Sequence, residues 1–372
     1  EGSERISAIV LHPEHPDLAF AGALGPAWSD SKVRGVFRTS DGGATWNRVL
    51  FVNQRTGIAD LAMDPADPRR LLAAAWEFRG WGASLESGGR GSGVYLTEDG
   101  GERWTPVAGL PEDELGRIAL AFAPSQPGLA YAWVERAGAA LFRSRDGGRN
   151  WETVATHGGV VDPSAGSARV VGDPAHALTV LRLESGLWVS TDGGAISREM
   201  AAGLPRETHA LWASAGDPPQ LYAGAEGGLY VSPDGGRRWS RVEDLPLGKV
   251  GGVGADLSTP FNVLGAMGED GSWRAPSDVW EDHAIGPRHW VEVGRGDGAG
   301  VLTDPSTPLR GYALSRDGGL VRFDLRTGER KDIRPWAPDR LELRVHPRAP
   351  LVRDPLDPRT IYLGSQFVHK SS

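Results

Sequence analysis

Six aspartates in this sequence stand directly before a pair of glycines, Asp41, Asp99, Asp146, Asp192, Asp234 and Asp317, and a seventh, Asp270, leads the shorter Asp-Gly-Ser. Read singly, a stretch such as SRDGGRNW (Ser144–Trp151) has three candidate uses. It could cradle a phosphate, contact a sugar, or make a tight turn. The phosphate reading fails on chemistry, because no Lys-Ser/Thr follows the glycines and no helix begins there. Other residues carry acid–base or binding potential. Asp297 in GRGDGAG is the leading single carboxylate candidate, with Glu269, Asp270 and Glu77 as conceivable partners. Glycoside hydrolysis needs two carboxylates roughly 5 to 9.5 Å apart across a cleft. Aromatic and cationic side chains gather in two long stretches: Trp28 in GPAWSDSKVRG, and Trp76, Arg79 and Trp81 in WEFRGWGASLESGGRGSG. Such groups suit sugar stacking or peptide capture. A third cluster holds Trp273, His283 and His289, with Glu281 and Asp282 adjacent to His283, and His209 stands apart. The histidines have no recognised metal-ligand spacing, so no metal site is expected. No cofactor is expected either. No Gly-x-Ser-x-Gly elbow leads a strand into a helix.

The elements that must position these residues are repeats. TSDGGATW (Thr39–Trp46), TEDGGERW (Thr97–Trp104), SRDGGRNW and SPDGGRRW (Ser232–Trp239) are close copies. STDGGAIS (Ser190–Ser197) and SRDGGLVRF (Ser315–Phe323) lack the Trp, and GEDGSW is degenerate. Successive aspartates lie 36 to 58 residues apart, a propeller-blade spacing. Before each copy comes an apolar strand, a Pro/Asp turn and another strand, as in IVLHPEHPDLAFAGAL and LAMDPADPRRLLAAAW. Each unit therefore reads as four antiparallel strands with the Asp-Gly-Gly turn joining the third to the fourth. The fold class is all-β: a propeller of seven full blades and a partial eighth. The blades span about 6–52, 57–110, 116–156, 157–204, 207–245, 248–297, 298–336 and, in part, 341–372, as a single domain.

Composition agrees. The 372 residues are 40% hydrophobic and 24% charged, enough for a packed core. They include 52 Gly, 27 Pro and 14 Trp, which suits turn-rich β-structure. The net charge of −8 is spread without a basic stripe, which argues against nucleic acid. No apolar run is long enough to span a membrane. Without cysteine there are no disulfides, thiolate ligands or cysteine nucleophile.

The S/T-x-D-G-G-x-x-W pattern resembles the Asp-box, or bacterial neuraminidase repeat, and the likeness runs along nearly the whole chain. The surrounding segments resemble large secreted bacterial glycosyl-hydrolase-like and sortilin-like proteins. The resemblance implies turns on the outer rim, with Asp41, Asp99, Asp146, Asp192, Asp234 and Asp317 as staples and Trp46, Trp104, Trp151 and Trp239 covering the hairpin base. Sites would lie on the loops around a central channel. It also implies an extracellular or periplasmic protein and a chain that is a fragment of a longer one, in a ring of up to ten blades; a closed eight-bladed ring is the other reading. Where relatives carry HGDHHA this chain has RETHAL, leaving His209, and where they carry QDNGSW it has GEDGSW. The expected function is therefore non-enzymatic: a binding or scaffold propeller for a protein, peptide or glycan partner, and a subunit of a larger assembly. Glycoside hydrolysis is the alternative.

Overall fold

The computed structural model describes residues 5–371 apart from 82–83, 113, 136–138, 157–168, 184–185, 201–202, 206–207, 226, 243–249, 269, 281–284, 305–306, 337–342, 347–348, 355 and 358. The described residues form seven four-stranded antiparallel sheets and a three-stranded eighth, each taken up in strict chain order. This is the blade architecture of a β-propeller. The second sheet carries an extra short strand, Ser84–Ser87, paired back onto the long second strand Asp67–Trp81. A single 3-10 turn, Pro287–His289, is the only helical element described.

The chain divides into two compact units: Glu1–Ala225 with Leu229–Glu243, and Asp244–Ser372 with Glu226–Gly228. Sheets one to five belong to the first and sheets six to eight to the second. In the first unit the opening strands Ile6–Leu11, Thr56–Asp64, Ile118–Phe122, Arg169–Gly172 and Thr208–Ala213 neighbour one another in sequence. In the second, Gly252–Ala255, Gly298–Thr303 and Leu351–Arg353 do the same.

Strand alternation explains the core. Successive side chains on a strand point to opposite faces, and an interior sheet must bury both. On Asp67–Trp81, Leu71, Ala73 and Ala75 pack toward the first sheet, while Leu72 and Ala74 pack toward the third. On Ala130–Val134, Ala130, Ala132 and Val134 face the second sheet, and Tyr131 and Trp133 face the fourth. Within each unit the apolar core is thus a series of layers between consecutive sheets. Small residues at many of these positions let the sheets approach closely.

Five turns share one construction. At Thr39–Trp46, the Thr39 hydroxyl donates to Asp41 Oδ1 (2.7 Å) and accepts the Gly43 N–H (3.0 Å), while Asp41 Oδ1 accepts the Thr45 N–H (2.9 Å). The same three bonds recur around Asp99, Asp146, Asp192 and Asp234. Both glycines have positive φ, between 69° and 98°, which side-chain-bearing residues adopt only under strain. The Trp46 and Trp151 indoles donate to the second glycine's carbonyl, at 3.1 and 2.9 Å. The Asp317 stretch differs. It joins the second strand of its sheet, Arg310–Ser315, to the third, Leu320–Asp324. There Ser315 N–H bonds to the Gly319 carbonyl (2.8 Å), and Asp324 holds the following turn through Arg326. Ser-x-Asp-Gly-Gly is compatible with either hairpin connection; spacing alone does not choose between them.

Candidate functional site

In a four-stranded meander, the start of the first strand and the turn between strands two and three lie at one end. The Asp-Gly-Gly turns between strands three and four lie at the other. The candidate site in the first unit is at the former end, and arginines mark it. Arg5, Arg55 and Arg117 immediately precede the opening strands of sheets one, two and three, and Arg169 begins that of sheet four. These residues recur in RISAIVL, RTGIADL, RIALAF and RVVGD. That signal was available in the sequence, but attention to carboxylates and long loops passes over it.

Beneath them lies an aromatic pair on the second strand of sheet two. Trp76 and Phe78 stack with ring centroids 4.4 Å apart and planes 20° off parallel, and both are buried. Three guanidiniums sit over this pair: Arg34 and Arg5 at 4.7 and 5.7 Å from the Phe78 centroid, and Arg117 at 5.6 Å from that of Trp76. Arg34 is 1% exposed and donates to the Leu24, Pro26 and Ser29 carbonyls. Its guanidinium is pulled down to a pKa of about 10, first by burial and then by Arg79 nearby. Burial, then repulsion from Arg169, also lowers Arg117. Arg5 is the only non-glycine residue with positive φ (62°) among those described.

The carboxylates at this end are engaged. Glu77 Oε2 accepts the Gly91 N–H (2.9 Å), and its other oxygen lies 3.7 Å from Arg55. Trp76 Nε1 donates to Ser87 Oγ (3.0 Å), which donates to Glu135 Oε2 (3.1 Å), and that oxygen also takes the Arg117 N–H (2.9 Å). Asp60 was not legible as a site residue. A register shift between Ile58 and Asp60 re-aims it. Its carboxylate accepts the N–H groups of Leu61 (3.0 Å) and of Leu120 on the next sheet (2.9 Å), with Arg169 3.8 Å away. Burial raises its pKa, against the opposing pull of Arg169.

Two side chains complete this end. Trp28 is 64% exposed, and its six-membered ring packs against Gly80, where an added Cβ would come within 2.7 Å of the ring. Beside it, Arg79 pairs with Asp30. The structure thus brings together Trp28, Trp76, Glu77 and Arg79 of the expected residues. The Trp81 side chain, Glu269, Glu281, Asp282 and His283 lie outside the described residues. His209 is exposed on the opening strand of sheet five. Trp273, His289, Asp270 and Asp297 belong to the second unit. There Asp297 is an exposed residue whose carbonyl accepts the Arg316 N–H (2.7 Å). The Asp270 carbonyl accepts the Trp273 indole N–H, and His289 Nδ1 accepts the Gly286 N–H (2.9 Å). No group of three or more metal-ligating side chains gathers among the described residues.

Two further features fall short of a site. A broad cleft of about 770 Å³ at the Asp-Gly-Gly end of sheets four and five holds His176 between Asp173 (3.6 Å) and Asp217 (3.7 Å). In the second unit, Ser365 Oγ lies 2.7 Å from His369 Nε2, but the same hydroxyl accepts the Phe367 N–H (2.9 Å), and no described carboxylate orients the imidazole.

No family model matches this chain. It is 28% identical over 205 residues to a probable oligoxyloglucan-reducing end-specific xyloglucanase of Neosartorya fischeri, covering 52% of this chain and 23% of that protein. It is 22% identical over 303 residues to the oligoxyloglucan-reducing end-specific xyloglucanase of Emericella nidulans (77% and 34%), and 24% over 299 residues to a Paenibacillus xyloglucanase (75% and 25%). The chain thus spans about a quarter to a third of the length of these curated relatives. Similar solved structures include the GH74 xyloglucanase from Xanthomonas campestris, with TM-score 0.41 and 17% identity over 98% of this chain and 61% of that one. They also include YCF48 bound to D1 peptide, with TM-score 0.45 and 14% identity over 84% and 90%. At these TM-scores neither likeness bears on what the chain does. No helix among the described residues is long and apolar enough to cross a membrane.

Proposed function

We propose that this chain is an Asp-box propeller that binds a glycan, peptide or protein partner at the strand-entrance end of its first unit. The observation that carries this reading is Trp28. Its six-membered ring is backed by Gly80, the residue is 64% exposed, and the Arg79–Asp30 pair flanks it. A flat apolar face beside polar groups favours stacking of a ring-shaped ligand. The nearby Glu77 and Glu135 are held by backbone N–H groups, which suits fixed scaffold roles better than proton transfer. An extracellular or periplasmic location belongs to the same proposal.

The test is a glycan and peptide array probed with the full chain and with Trp28→Ala. Retention of a ligand by the parent, lost in the variant with an unchanged thermal midpoint, supports binding at this end. Equal retention by both refutes it.

Glycoside hydrolysis is the second reading. The xyloglucanase relatives favour it, as does Asp60, whose carboxyl burial holds toward the protonated form that a general acid needs. Release of shortened sugars from xyloglucan, abolished by Asp60→Asn, would establish it over the first.

A further inference from the structure

The loop that carries Trp28 is pinned residue by residue. The Gly80 N–H donates to the Ala27 carbonyl (2.9 Å), and the Trp28 ring packs against Gly80. Asp30 pairs with Arg79, and the Ser31 N–H donates to the Gln54 carbonyl (2.9 Å). The Lys32 carbonyl accepts from Arg48, whose guanidinium lies 4.2 Å from the Phe51 ring centroid. Arg48 belongs to the fourth strand of the first sheet, Asn47–Leu50, and Phe51 follows that strand directly. Trp28 and Lys32 are four residues apart, so their Cα atoms lie within about 14 Å of each other. One fixed surface therefore carries Trp28, Lys32, Arg48 and Phe51, all of them exposed.

The charges on this surface are unbalanced. Asp30 is matched by Arg79, and Glu86 by Arg55 (3.2 Å). The Lys32 ammonium has no ion-pair partner among the described residues. Arg48 meets a carbonyl and a ring, but no carboxylate among those residues. A neutral ligand laid over these cations would strip their water and return nothing. Carboxylates would replace that water with charge-assisted hydrogen bonds. Exposed aromatic rings beside an arginine are the groups on which protein interfaces concentrate their binding energy. A loop already pinned loses little freedom when it binds. An extended segment rises about 3.3 Å per residue, so about five residues span the distance from Trp28 to Lys32.

We infer that the loop 27–32, with Arg48 and Phe51 beside it, binds an acidic peptide segment of a protein partner. An aromatic side chain of the segment stacks on Trp28, and its aspartates or glutamates face Lys32 and Arg48. This names the partner of the binding reading and rests on that reading.

Selection from a random dodecapeptide phage library on the full chain, after depletion on Trp28→Ala, tests this. Peptides with Asp or Glu beside Phe, Tyr or Trp are expected to be enriched. The leading peptide, made synthetically, should bind more weakly as salt rises. Arg48→Glu should weaken it about tenfold or more, the scale of one charge-assisted hydrogen bond. Lys32→Glu, at an exposed position, should do the same even if the Arg48 variant fails to fold. Replacing the peptide's acids by their amides should weaken binding to the parent by a like factor and to Lys32→Glu far less. That coupling marks a direct contact, which a merely structural role would not produce. Enrichment of basic or uncharged peptides, no enrichment at all, or affinity unmoved by Lys32→Glu would each overturn the inference. A concentration-dependent dimer in sedimentation, lost in Trp28→Ala, would assign the surface to a second copy of the chain and overturn it too. A glycan held through Trp28 on the array, with no peptide enriched, would sink the acidic peptide but leave the binding reading intact. Neither a glycan nor a peptide held through Trp28 would sink both.

Discussion

At the scale of single residues, Asp60 carries the clearest consequence. Its carboxylate supplies the acceptor for the Leu120 N–H across a sheet boundary. Asp60→Ala leaves that donor buried without a partner, and a destabilisation of about 1–3 kcal/mol is expected, read from the urea midpoint. Its pH dependence has a definite sign. Burial raises the folded pKa above the ordinary 3.8. The folded state therefore binds the proton more readily, and Asp60's contribution grows as pH falls from the raised value toward 3.8. Asp60→Asn should remove this component. Sequence reasoning could not find the residue, because an aspartate within an alternating strand reads as solvent-facing. Only the local register shift turns it inward. Trp28 and Arg79 stood out because stretches rich in Trp and Arg have few structural reasons to be so, although Arg79 lies on the strand Asp67–Trp81 and not on a loop. Trp76, from the same stretch, is 3% exposed and serves as the floor beneath the arginines.

At the scale of elements, the Asp-Gly-Gly turns behave as a class. Asp41 is held near a pKa of about 2, chiefly by the Thr45 hydroxyl, and Asp234 near about 2, chiefly by Arg238. Asp99, Asp146 and Asp192 are lowered as well. For a depressed carboxylate, stabilisation is complete above the unfolded value and is lost as pH falls through the folded one. Thermal midpoints should accordingly fall between about pH 4 and pH 2, and Asp41→Asn should flatten part of that fall. The glycines separate strain from crowding. Gly100 has φ +74° with nothing within 4 Å of an added Cβ, whereas Gly148 has φ +93° and would meet Leu72 Cδ2 at 2.6 Å. Gly100→Ala should cost about 1 kcal/mol from backbone strain alone, and Gly148→Ala about 2–3 kcal/mol, as crowding adds to it. Equal losses in a denaturant titration would show that crowding is relieved freely. Repetition made these turns readable. It was also what placed Asp317 with the others, although that aspartate turns between the second and third strands.

At the scale of the whole molecule, neighbouring sheets within each unit are tied by side chains as well as by apolar layers. Ser7 Oγ donates to the Ile58 carbonyl, Thr303 Oγ1 to the Ala255 carbonyl (3.1 Å), and Arg353 Nη1 to the Thr303 carbonyl (2.8 Å). Stability in such arrays is close to a sum over sheets and their interfaces. Within the first unit, the third sheet is covered on both faces, and its second strand, Ala130–Val134, is buried at every position. Amide exchange should be slowest there and faster in the first sheet, where Ile9 and Leu11 are exposed. Slower exchange along Ile6–Leu11 than along Ala130–Val134 would contradict this nearest-neighbour picture. The count of blades was readable because each repeat declares its own strands and turn. Which end of the sheets gathers charge was written in the arginine that opens each of the first four repeats, but those arginines are scattered over more than 160 residues and stand out only once the strands are aligned.

The opposite placement of turns and arginines has a practical use. The chain contains no cysteine, so a single introduced thiol would be its only one. Arg103 is exposed in an Asp-Gly-Gly turn and contributes its backbone N–H to Asp99, a bond that Arg103→Cys would keep. Coupling through that sulfur would fix every molecule to a sensor surface by the same corner, with the arginine-bearing end turned toward the analyte. Immobilisation would then set orientation as well as attachment, and a flowing ligand would meet one face of the protein.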